Sequence, residues 1–434
     1  MITFDEILPK IREILSQHAE AISNFGPIAV NRDLNGKVRL IVPESIFINS
    51  LYVEVIENIA AQFEEKLLAH SFPAKKVILY EEDVTAVYQN SPHFELTGLD
   101  KVIIVDRLAT ESRWDLISDE TQGVKRIVFF SIKGGVGRST AMAASAWALA
   151  QTGKKVMVID LDLESPGLST ALLPEERRPT YGVADWMVED LVDNGNVVLD
   201  DMYATSTLSH DGEIYVIPAH GKSPGEYIAK LGRVWMPKVS KSRERESWSQ
   251  RLNRLIDSLE EKIKPDIILI DSRSGIDEIA SSCVTELGAN LILLFSIDGE
   301  QTWSGYQILF DYWYRMSKVT YIRERLQVVA AMIPDDERRE DYFSGMIERA
   351  SNLFSEILYD EIAPGAVNEG FSFELFDESA PHYPWAIRWN SGFSALTSTH
   401  ARFQTIDPDS VKSVFGPLID GITRLASIGD NTNE

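Results

Sequence analysis

Residues 131–140 read Ser-Ile-Lys-Gly-Gly-Val-Gly-Arg-Ser-Thr, and this combination of glycines, cations and hydroxyls suits the binding of a phosphate chain. Glycine permits positive φ and a close approach, so successive backbone N–H groups can converge on an anion. The hydroxyl of Ser139 follows the cationic Arg138 and can bind Mg²⁺, and Thr140 can reach a neighbouring phosphate oxygen. The glycines that allow this geometry are Gly134, Gly135 and Gly137. The segment is therefore predicted to bind the phosphates of a nucleotide.

The elements on either side give this loop the context of a nucleotide site. The apolar run 126–130 precedes it and predicts a strand, and the small-residue run 141–150 follows it and predicts a helix. The helix would begin near Arg138 and place its positive dipole end at the bound phosphate. A glycine turn before a buried helix is the alternative interpretation of the same residues.

The loop departs from the plain phosphate-loop pattern at two positions. The pattern G-x-x-x-x-G-K-[ST] places glycine at position 132 and lysine at position 138, where this chain has Ile132 and Arg138. An early lysine, Lys133, accompanies the loss of the first glycine. This arrangement resembles the deviant Walker A motif of the ParA/MinD-like ATPases, P-loop proteins of the SIMIBI class. With arginine at position 138, the segment resembles the KGGVGR-motif variant branch of that family.

The resemblance implies ATP and Mg²⁺ as cofactors and a homodimer that encloses the nucleotide. In that family the early lysine, here Lys133, reaches across the dimer interface to the nucleotide held by the partner subunit. Arg138 keeps a positive charge and a planar set of donors, although arginine and lysine are not interchangeable at a tight site. We therefore expect nucleotide binding with slow hydrolysis. The predicted nucleotide contacts are Lys133, Gly134, Gly135, Val136, Gly137, Arg138, Ser139 and Thr140.

Two strands that end in carboxylates complete the predicted site. Residues 156–162, Val-Met-Val-Ile-Asp-Leu-Asp, resemble the family motif whose second acid orients the attacking water or a water on Mg²⁺, a role that falls on Asp162 with Asp160 in support. Residues 265–271 resemble a Walker B strand, so Asp271 is expected to hold Mg²⁺. Capping of the next helix is the alternative for Asp160 and Asp162. The predicted metal ligands are Ser139, Asp162 and Asp271, and the predicted catalytic residues are Lys133, Arg138 and Asp162.

Each acid is followed by a segment that resembles a switch of the family. Residues 163–168 read Leu-Glu-Ser-Pro-Gly-Leu and resemble the first switch, and residues 272–278 read Ser-Arg-Ser-Gly-Ile-Asp-Glu and resemble the second. Arg273 stands where the family usually has proline. We hypothesise that Arg273 pairs with the nucleotide or with a switch carboxylate, and a plain surface arginine is the alternative.

Composition limits the class of protein. The 434 residues, 44% of them hydrophobic, suffice for two domains with packed cores. A net charge of −24 argues against broad binding to nucleic acids or to an anionic membrane surface. Cys283 is the only cysteine, so the chain cannot form an internal disulfide, which fits a cytoplasmic location. One thiol per chain is also too few to bind a cluster as the iron-sulfur relatives of this ATPase class do. We find no signal peptide and no apolar run near the roughly 20 residues that span a bilayer.

The periodicity of apolar residues predicts two domains. Residues 1–123 read as a small α/β domain, and residues 111–123 are polar enough to be a linker. Residues 124–434 alternate apolar strands with helices, which predicts an α/β fold with a doubly wound, mostly parallel sheet. Ligands of such sheets bind at the carboxyl ends of the strands. The strands predicted for the second domain are 126–131, 155–160, 214–218, 266–271, 290–296 and 326–333.

Two further segments bear on partners. Residues 222–254 carry nine basic side chains against few acids. ParA-like relatives bind DNA through basic surfaces, but in an acidic chain we favour a solvated insertion or a protein-docking patch over DNA. Residues 409–427 place apolar side chains at helical spacing but mix Lys412 and Arg424 with acids, so packing on the ATPase core is favoured over membrane targeting.

The motifs lead to two hypotheses of different class. The first is a slow, Mg²⁺-dependent ATPase that dimerises around ATP and signals to a protein partner. Because KGGVGR variants resemble parts of bacterial conflict systems, the resemblance also implies a role in antiviral defence. The second hypothesis is a nucleotide-binding adaptor or regulatory protein with little or no hydrolysis, which Arg138 favours. A bacterial P-loop tyrosine kinase is disfavoured because residues 427–434 lack a tyrosine-rich tail.

Overall fold

The computed structural model describes residues 2–89, 91–110, 113–239, 244–362, 370–393 and 399–427. Two compact units divide the chain, one of residues 1–111 with 315–317 and the other of residues 112–314 with 318–434. The division falls at 111/112, before the boundary at 123/124 that the sequence pattern predicts.

The first unit combines helices with a mixed sheet. Its strands are β1 (Ile28–Arg32), β2 (Val38–Pro43), β3 (Ile78–Glu81), β4 (His93–Glu95) and β5 (Val102–Asp106), and its helices are α1 (Ile7–Ser16), α2 (Ala19–Phe25), α3 (Ser50–Leu67) and α4 (Ala74–Val77). The strand order is β3-β2-β1-β5-β4. β1 and β2 pair antiparallel, as the Asn35-Gly36 turn predicts, whereas β1–β5 and β2–β3 are parallel. Aliphatic side chains from both sheet and helices form the core of this unit.

The second unit carries the glycine loop and is built on a large sheet. Its strands are β6 (Lys125–Ser131), β7 (Lys155–Asp160), β8 (Ala204–Thr205), β9 (Glu213–Ile217), β10 (Lys238–Val239), β11 (Arg245–Glu246), β12 (Ile267–Ser274), β13 (Leu291–Ser296), β14 (Leu326–Ile333) and β15 (Trp385–Arg388). β10 and β11 form a separate hairpin, and the others pair in the order β15-β14-β13-β6-β12-β7-β9-β8. The pairs of this sheet are parallel except β8–β9. The strands predicted from the sequence are β6, β7, β9, β12, β13 and β14; the short strands β8 and β15 have no long apolar run and were missed.

Helices cover both faces of this sheet. They are α5 (Arg138–Gln151), α6 (Leu168–Leu172), α7 (Val183–Asp190), α8 (Gly195–Val198), α9 (Tyr227–Val234), α10 (Trp248–Ile263), α11 (Glu278–Ser281), α12 (Glu300–Arg315), α13 (Val319–Ile322), α14 (Arg339–Ile357), α15 (Thr399–Thr405) and α16 (Pro408–Ser427). Along β6, Val128 and Phe130 enter the core shared with α10, α12 and α14, whereas Ile127 and Phe129 enter the core shared with α5 and α16. The continuous apolar run of β6 is thus buried on both sides. The predicted fold class, a doubly wound and mostly parallel α/β sheet, is confirmed.

Residues 113–123 belong to the second unit and are not a free linker. Trp114 is buried there, and its carbonyl accepts a hydrogen bond from Trp313 Nε1 at 2.9 Å. The amides of Ser118 and Thr121 donate to backbone carbonyls of the same unit at 2.8 and 2.9 Å. A polar segment can therefore be held in place by one large aromatic anchor and by backbone hydrogen bonds, which composition alone does not reveal.

The last described helix packs on the large sheet of the second unit. α16 buries Val414, Leu418 and Ile422 in the core that it shares with α5. The predicted packing of residues 409–427 is therefore confirmed, and residues 428–434 lie outside the described part of the chain. A helix both long and apolar enough to cross a bilayer is absent from the described residues.

Candidate nucleotide site

The glycine loop lies at the carboxyl end of β6, where β12 and β13 flank it on opposite sides. Gly135 and Gly137 have φ of +74° and +83°, a left-handed conformation that residues with a side chain rarely adopt. α5 begins at Arg138, so the first turn of a 14-residue helix offers N–H groups without intrahelical partners at the loop. This geometry is that of an anion-binding site at the switch point of a parallel sheet.

Arg138 is buried and faces the ends of the acid-bearing strands. Its Nη1 donates to Ser131 Oγ at 2.8 Å. Its Nε lies 3.6 Å from Asp271 Oδ1, and its Nη2 lies 3.7 Å from Asp162 Oδ2. Both distances exceed those of hydrogen bonds, so the attraction to the carboxylates is mainly electrostatic. The fold thus brings together the predicted cation and two of the predicted metal ligands.

Ser139 joins the start of α5 to the end of β12. Its Oγ donates to Asp271 Oδ2 at 2.6 Å. Asp271 is 1% exposed, and its Oδ1 accepts no hydrogen bond from the described residues. Burial raises the pKa of Asp271 to about 6, although the charge of Arg138 and the hydrogen bond from Ser139 favour the ionised form. A buried carboxylate oxygen with spare acceptor capacity, next to a serine hydroxyl, is suited to bind a hard cation.

Asp160 holds the loop after β7, whereas Asp162 faces Arg138. The oxygens of Asp160 accept hydrogen bonds from Asp162 N at 3.1 Å and from Leu168 N at 3.2 Å, at the start of α6. Burial, and then the charge of Asp271, raise the pKa of Asp160 well above its usual range. The capping alternative therefore describes Asp160. Asp162 accepts a hydrogen bond from Ser165 N at 3.2 Å and keeps its other oxygen toward Arg138.

Lys133 is exposed on the loop. Its ammonium group forms no ion pair or hydrogen bond with the described residues, while its carbonyl accepts a hydrogen bond from Ser131 Oγ at 2.8 Å. The neighbouring Gly134 lies against Ser274, whose Oγ is 3.3 Å from the position that a Cβ would take. Val136 is buried and Thr140 is half-buried. The backbone at Lys133 is therefore fixed while its charge projects from the unit.

Arg273 connects the two switch-like segments. Its Nη2 lies 2.6 Å from Glu164 Oε2 in the first segment, and its Nη1 lies 3.2 Å from Asp277 Oδ2 in the second. Asp277 also caps α11 by accepting a hydrogen bond from Ala280 N at 2.9 Å. Arg273 therefore pairs with carboxylates of both switch-like segments, and its pairing with the nucleotide stays a prediction.

An open cavity of about 320 Å³ lies at the end of β14, and Met332 in its lining approaches the glycine loop. It is lined by Met332, Pro334, Asp335, Asp336, Arg338 and Trp389. Met332 has φ of +56°, and its Cε lies 4.0 Å from the position of a Cβ at Gly137. Such left-handed residues with a side chain concentrate at ligand sites, and the pairing of β14 with β15 is irregular at this point. Met332 therefore connects the lining of this cavity to the glycine loop.

Four of the nine basic side chains of segment 222–254 form ion pairs with carboxylates of α7. Lys230 pairs with Asp185 at 2.6 Å, and Lys238, Arg251 and Arg254 all pair with Asp190 at 3.1, 2.9 and 2.9 Å. Burial disfavours the charge of Asp190, but hydrogen bonds from Arg254, Arg251 and Lys238 outweigh it and lower the pKa of this carboxyl. Lys241 and Arg243 lie outside the described residues. These ion pairs reduce the positive charge that the segment could offer to DNA.

Sequence reasoning missed three residues that shape the site: Ser131, Glu164 and Tyr227. Ser131 had a usable signal because it closes β6 immediately before the loop. Glu164 stood in a segment recognised as switch-like, but its pairing with Arg273 could not be read from the sequence. Tyr227 Oη donates to Leu163 O at 2.7 Å, a contact between distant parts of the chain that only folding creates.

Comparison with known proteins places the second unit among nucleotide-binding domains. The sequence profile of the family described as "CobQ/CobB/MinD/ParA nucleotide binding domain" matches residues 127–370. A putative arsenical pump-driving ATPase 1 of Aquifex aeolicus is 47% identical over 53 residues, which are 12% of this chain and 13% of the relative. The septum site-determining protein MinD of Escherichia coli is 36% identical over 106 residues, which are 24% of this chain and 36% of the relative.

The matched segments span only 13% and 36% of the length of these two relatives. Among solved structures, the septum site-determining protein MinD of Pyrococcus horikoshii, complexed with Mg-ADP, is 20% identical with a TM-score of 0.44, and the match covers 70% of this chain and 98% of that one. The family profile covers more than half of the 434 residues and includes the loop, both acid-bearing strands and Met332 of β14. The chain therefore belongs to the family of CobQ/CobB/MinD/ParA nucleotide-binding domains and is a ParA/MinD-like P-loop protein.

Proposed function

We propose that this protein is an Mg²⁺-dependent switch that binds ATP, dimerises around it and hydrolyses it slowly. The convergence of Ser139, Asp271 and Asp162 on the glycine loop, in a chain of this family, carries the proposal. Backbone N–H groups of residues 134–140 would bind the β- and γ-phosphates. Asp162 would orient the attacking water. Lys133 would act on the nucleotide of the partner subunit, as the resemblance to the deviant Walker A motif implies.

The residues at the end of β12 fit Mg²⁺. Magnesium takes oxygen ligands and is commonly bound through one or two carboxylates together with phosphates and waters. Ser139 Oγ and the buried Asp271 Oδ1 offer such oxygens, and Asp162 could hold a metal-bound water. When bound, the ion would neutralise charge on the phosphate oxygens during transfer. Arg138 would then be freed from counterbalancing the carboxylates and could turn its donors to the nucleotide.

Mass measurement of the purified protein tests this proposal. We expect the monomer mass of 48.8 kDa with Mg-ADP and twice that mass with Mg²⁺ and a non-hydrolysable ATP analogue. An unchanged mass, together with calorimetric binding of the analogue, would contradict the dimer but not nucleotide binding. Absence of calorimetric binding to folded protein would contradict the whole proposal.

A nucleotide-binding adaptor with little or no hydrolysis is the second candidate. The observation in its favour is that Arg138, in place of the usual lysine, is buried against Ser131 and two carboxylates. A guanidinium engaged in this way must exchange partners before it can stabilise charge on a transferring phosphate. The adaptor would still bind ATP through the loop backbone.

The Arg138→Lys variant separates the two candidates. A lysine cannot reach Ser131 and both carboxylates at once, so we expect the free energy of unfolding to fall by about 1–3 kcal/mol. If the protein is a switch ATPase, the wild type should show measurable turnover, and Arg138→Lys should change that turnover by less than about tenfold, or about 1.4 kcal/mol in the activation barrier. An adaptor should show almost no wild-type turnover and gain it with lysine. Arg126→Lys is the matched control, because Arg126 is also buried and paired, with Asp257 at 2.6 Å, but lies at the start of β6.

The partners and the location of the protein are also proposals. We assign a cytoplasmic location, with a protein rather than DNA as the recipient of the signal. The net charge is −24, and four basic side chains of the segment 222–254 are paired internally. The KGGVGR resemblance supports a role in antiviral defence. Loss of phage resistance in a host that carries the Lys133→Ala gene would agree with that role, and salt-sensitive binding to random duplex DNA would contradict the choice of partner.

A further inference from the structure

The first switch-like segment, residues 163–168, is connected to two different elements. Glu164 Oε2 pairs with Arg273 Nη2 at 2.6 Å, near the end of β12. The adjacent carbonyl of Leu163 accepts a hydrogen bond from Tyr227 Oη at 2.7 Å, and Tyr227 is the first residue of α9. The segment thus links the acid-bearing strand of the nucleotide site to a surface helix.

The ion pair lies beside the proposed phosphate position. Arg273 precedes Ser274, which touches the loop at Gly134, and Glu164 follows shortly after Asp162, which faces Arg138. The side chains of Arg273 and Glu164 are 33% and 47% exposed, so solvent weakens their attraction. A triphosphate carries more negative charge than one carboxylate, and arginine binds phosphate oxygens with strong charge-assisted hydrogen bonds. A terminal phosphate can therefore compete with Glu164 for Arg273.

α9 is positioned to respond when the segment moves. It is held to the body of the unit by Tyr227 and by Lys230, whose Nζ lies 2.6 Å from Asp185 Oδ1. The last residue of the helix, Val234, is buried in the core of the unit, whereas Ile228 in the first turn is 87% exposed. The first turn of α9, which Tyr227 attaches through one hydrogen bond, can therefore shift while Val234 stays in the core.

We propose that Arg273 senses the terminal phosphate and that the Leu163–Tyr227 hydrogen bond passes the change to α9. The proposal rests on the proposed binding of ATP and adds a route from the bound nucleotide to the surface. Arg273 acts as a positioning residue: it holds Glu164 when no terminal phosphate is present and releases it when the phosphate binds. The loss of this restraint changes the position of Leu163 and hence of the hydroxyl that bonds to it.

Hydrogen exchange in the full-length protein tests the proposal. Exchange of residues 227–234 is compared between Mg-ADP and Mg²⁺ with a non-hydrolysable ATP analogue. We expect the two states to differ by about fivefold or more in the wild type, the lower end of common coupling between sites. Tyr227→Phe removes one hydroxyl and should bring the two states together without changing calorimetric affinity. Tyr215→Phe is the matched control, because its hydroxyl bonds to Glu213 on β9 at 3.0 Å, and it should respond as the wild type does.

The Arg273→Gln variant tests the proposal independently of Tyr227→Phe. It should also remove the difference between the ADP and analogue states in α9, even if Tyr227→Phe fails to fold. A wild-type protein that binds both nucleotides with equal exchange in α9 would overturn the inference and leave the proposed function intact. A Tyr227→Phe or Arg273→Gln protein that still responds like the wild type would also overturn it. Absence of binding heat would instead count against the proposed function itself.

Discussion

Replacing Lys133 by alanine is expected to lower ATP turnover by about 10³–10⁵-fold, the range for a cation that a partner molecule supplies to a GTPase. The side chain of Lys133 is exposed and unpaired among the described residues, whereas the loop that carries it is fixed by the Ser131–Lys133 hydrogen bond. A cation placed in this way is available to a second copy of the chain. Affinity for ATP in the monomer should change little, because the loop backbone and Arg138 remain.

Steady-state phosphate release, calorimetry and mass measurement with the ATP analogue check this prediction together. Lys76→Ala is the control, because Lys76 is also an exposed lysine but belongs to the first unit. We expect the control to match the wild type in all three measurements. Turnover of Lys133→Ala within about tenfold of the wild type, a barrier change of about 1.4 kcal/mol, would exclude a catalytic role in the partner's site.

The Asp271→Asn variant is expected to be more stable than the wild type without metal and yet to hydrolyse ATP at least about 100-fold more slowly, a loss of about 3 kcal/mol in transition-state stabilisation. Turnover should fall because Asp271 is the buried oxygen ligand proposed for Mg²⁺. The free energy of unfolding should rise because burial penalises the charged form of Asp271, whereas asparagine keeps an acceptor for Ser139 without that charge. Function and stability therefore make opposite demands on this position.

The stability difference should depend on pH. The pKa of Asp271 is raised from 3.8 to about 6 in the fold, so ionisation opposes folding. At pH values above about 6, the burial of the charged carboxylate lowers the free energy of unfolding of the wild type by roughly 3 kcal/mol. Below the pKa of the unfolded state this destabilisation is absent. The advantage of asparagine should thus be largest at neutral pH and disappear as the pH falls through 6 toward 4.

Denaturant unfolding in EDTA at pH 7.5 and at pH 4.5 measures this difference. Asp311→Asn is the control, because Asp311 is exposed within α12 and has no ion pair among the described residues. The control should leave the free energy of unfolding within about 0.5 kcal/mol of the wild type at both pH values. An Asp271→Asn protein that is no more stable than the wild type at pH 7.5 would show that Arg138 compensates the buried charge completely.

The position of the nucleotide site could be predicted because its signals are local in the chain. Glycine at 135 and 137 is required by backbone conformation, and Ser139 follows in the first turn of the helix that those glycines begin. The runs 127–130 and 267–270 are continuous and apolar because the middle of a strand buried on both faces contains no polar position. Any sequence that folds in this way must therefore have glycines in the loop and apolar residues along the buried strands.

The environment of the predicted residues could not be read in the same way. The sequence indicated that Arg138 and Asp271 belong to one site, but not that Arg138 is buried against the carboxylates or that burial raises the pKa of Asp271. It suggested a linker at 111–123 because it could not show that Trp114 reaches the core. It also presented 222–254 as a basic segment because it could not show that Asp190 of α7 pairs with Lys238, Arg251 and Arg254.

The amino-acid sequence by itself determined the P-loop, the family, the parallel α/β class and the identity of the acids at the strand ends. Only the tertiary structure decided which carboxylate holds a loop and which faces the cation, and that Arg273 and Tyr227 both contact the segment after Asp162. The physical reason is that backbone conformation and strand burial depend on neighbouring residues. Ion pairs, desolvation and side-chain hydrogen bonds instead depend on distances between residues that only the folded chain brings together.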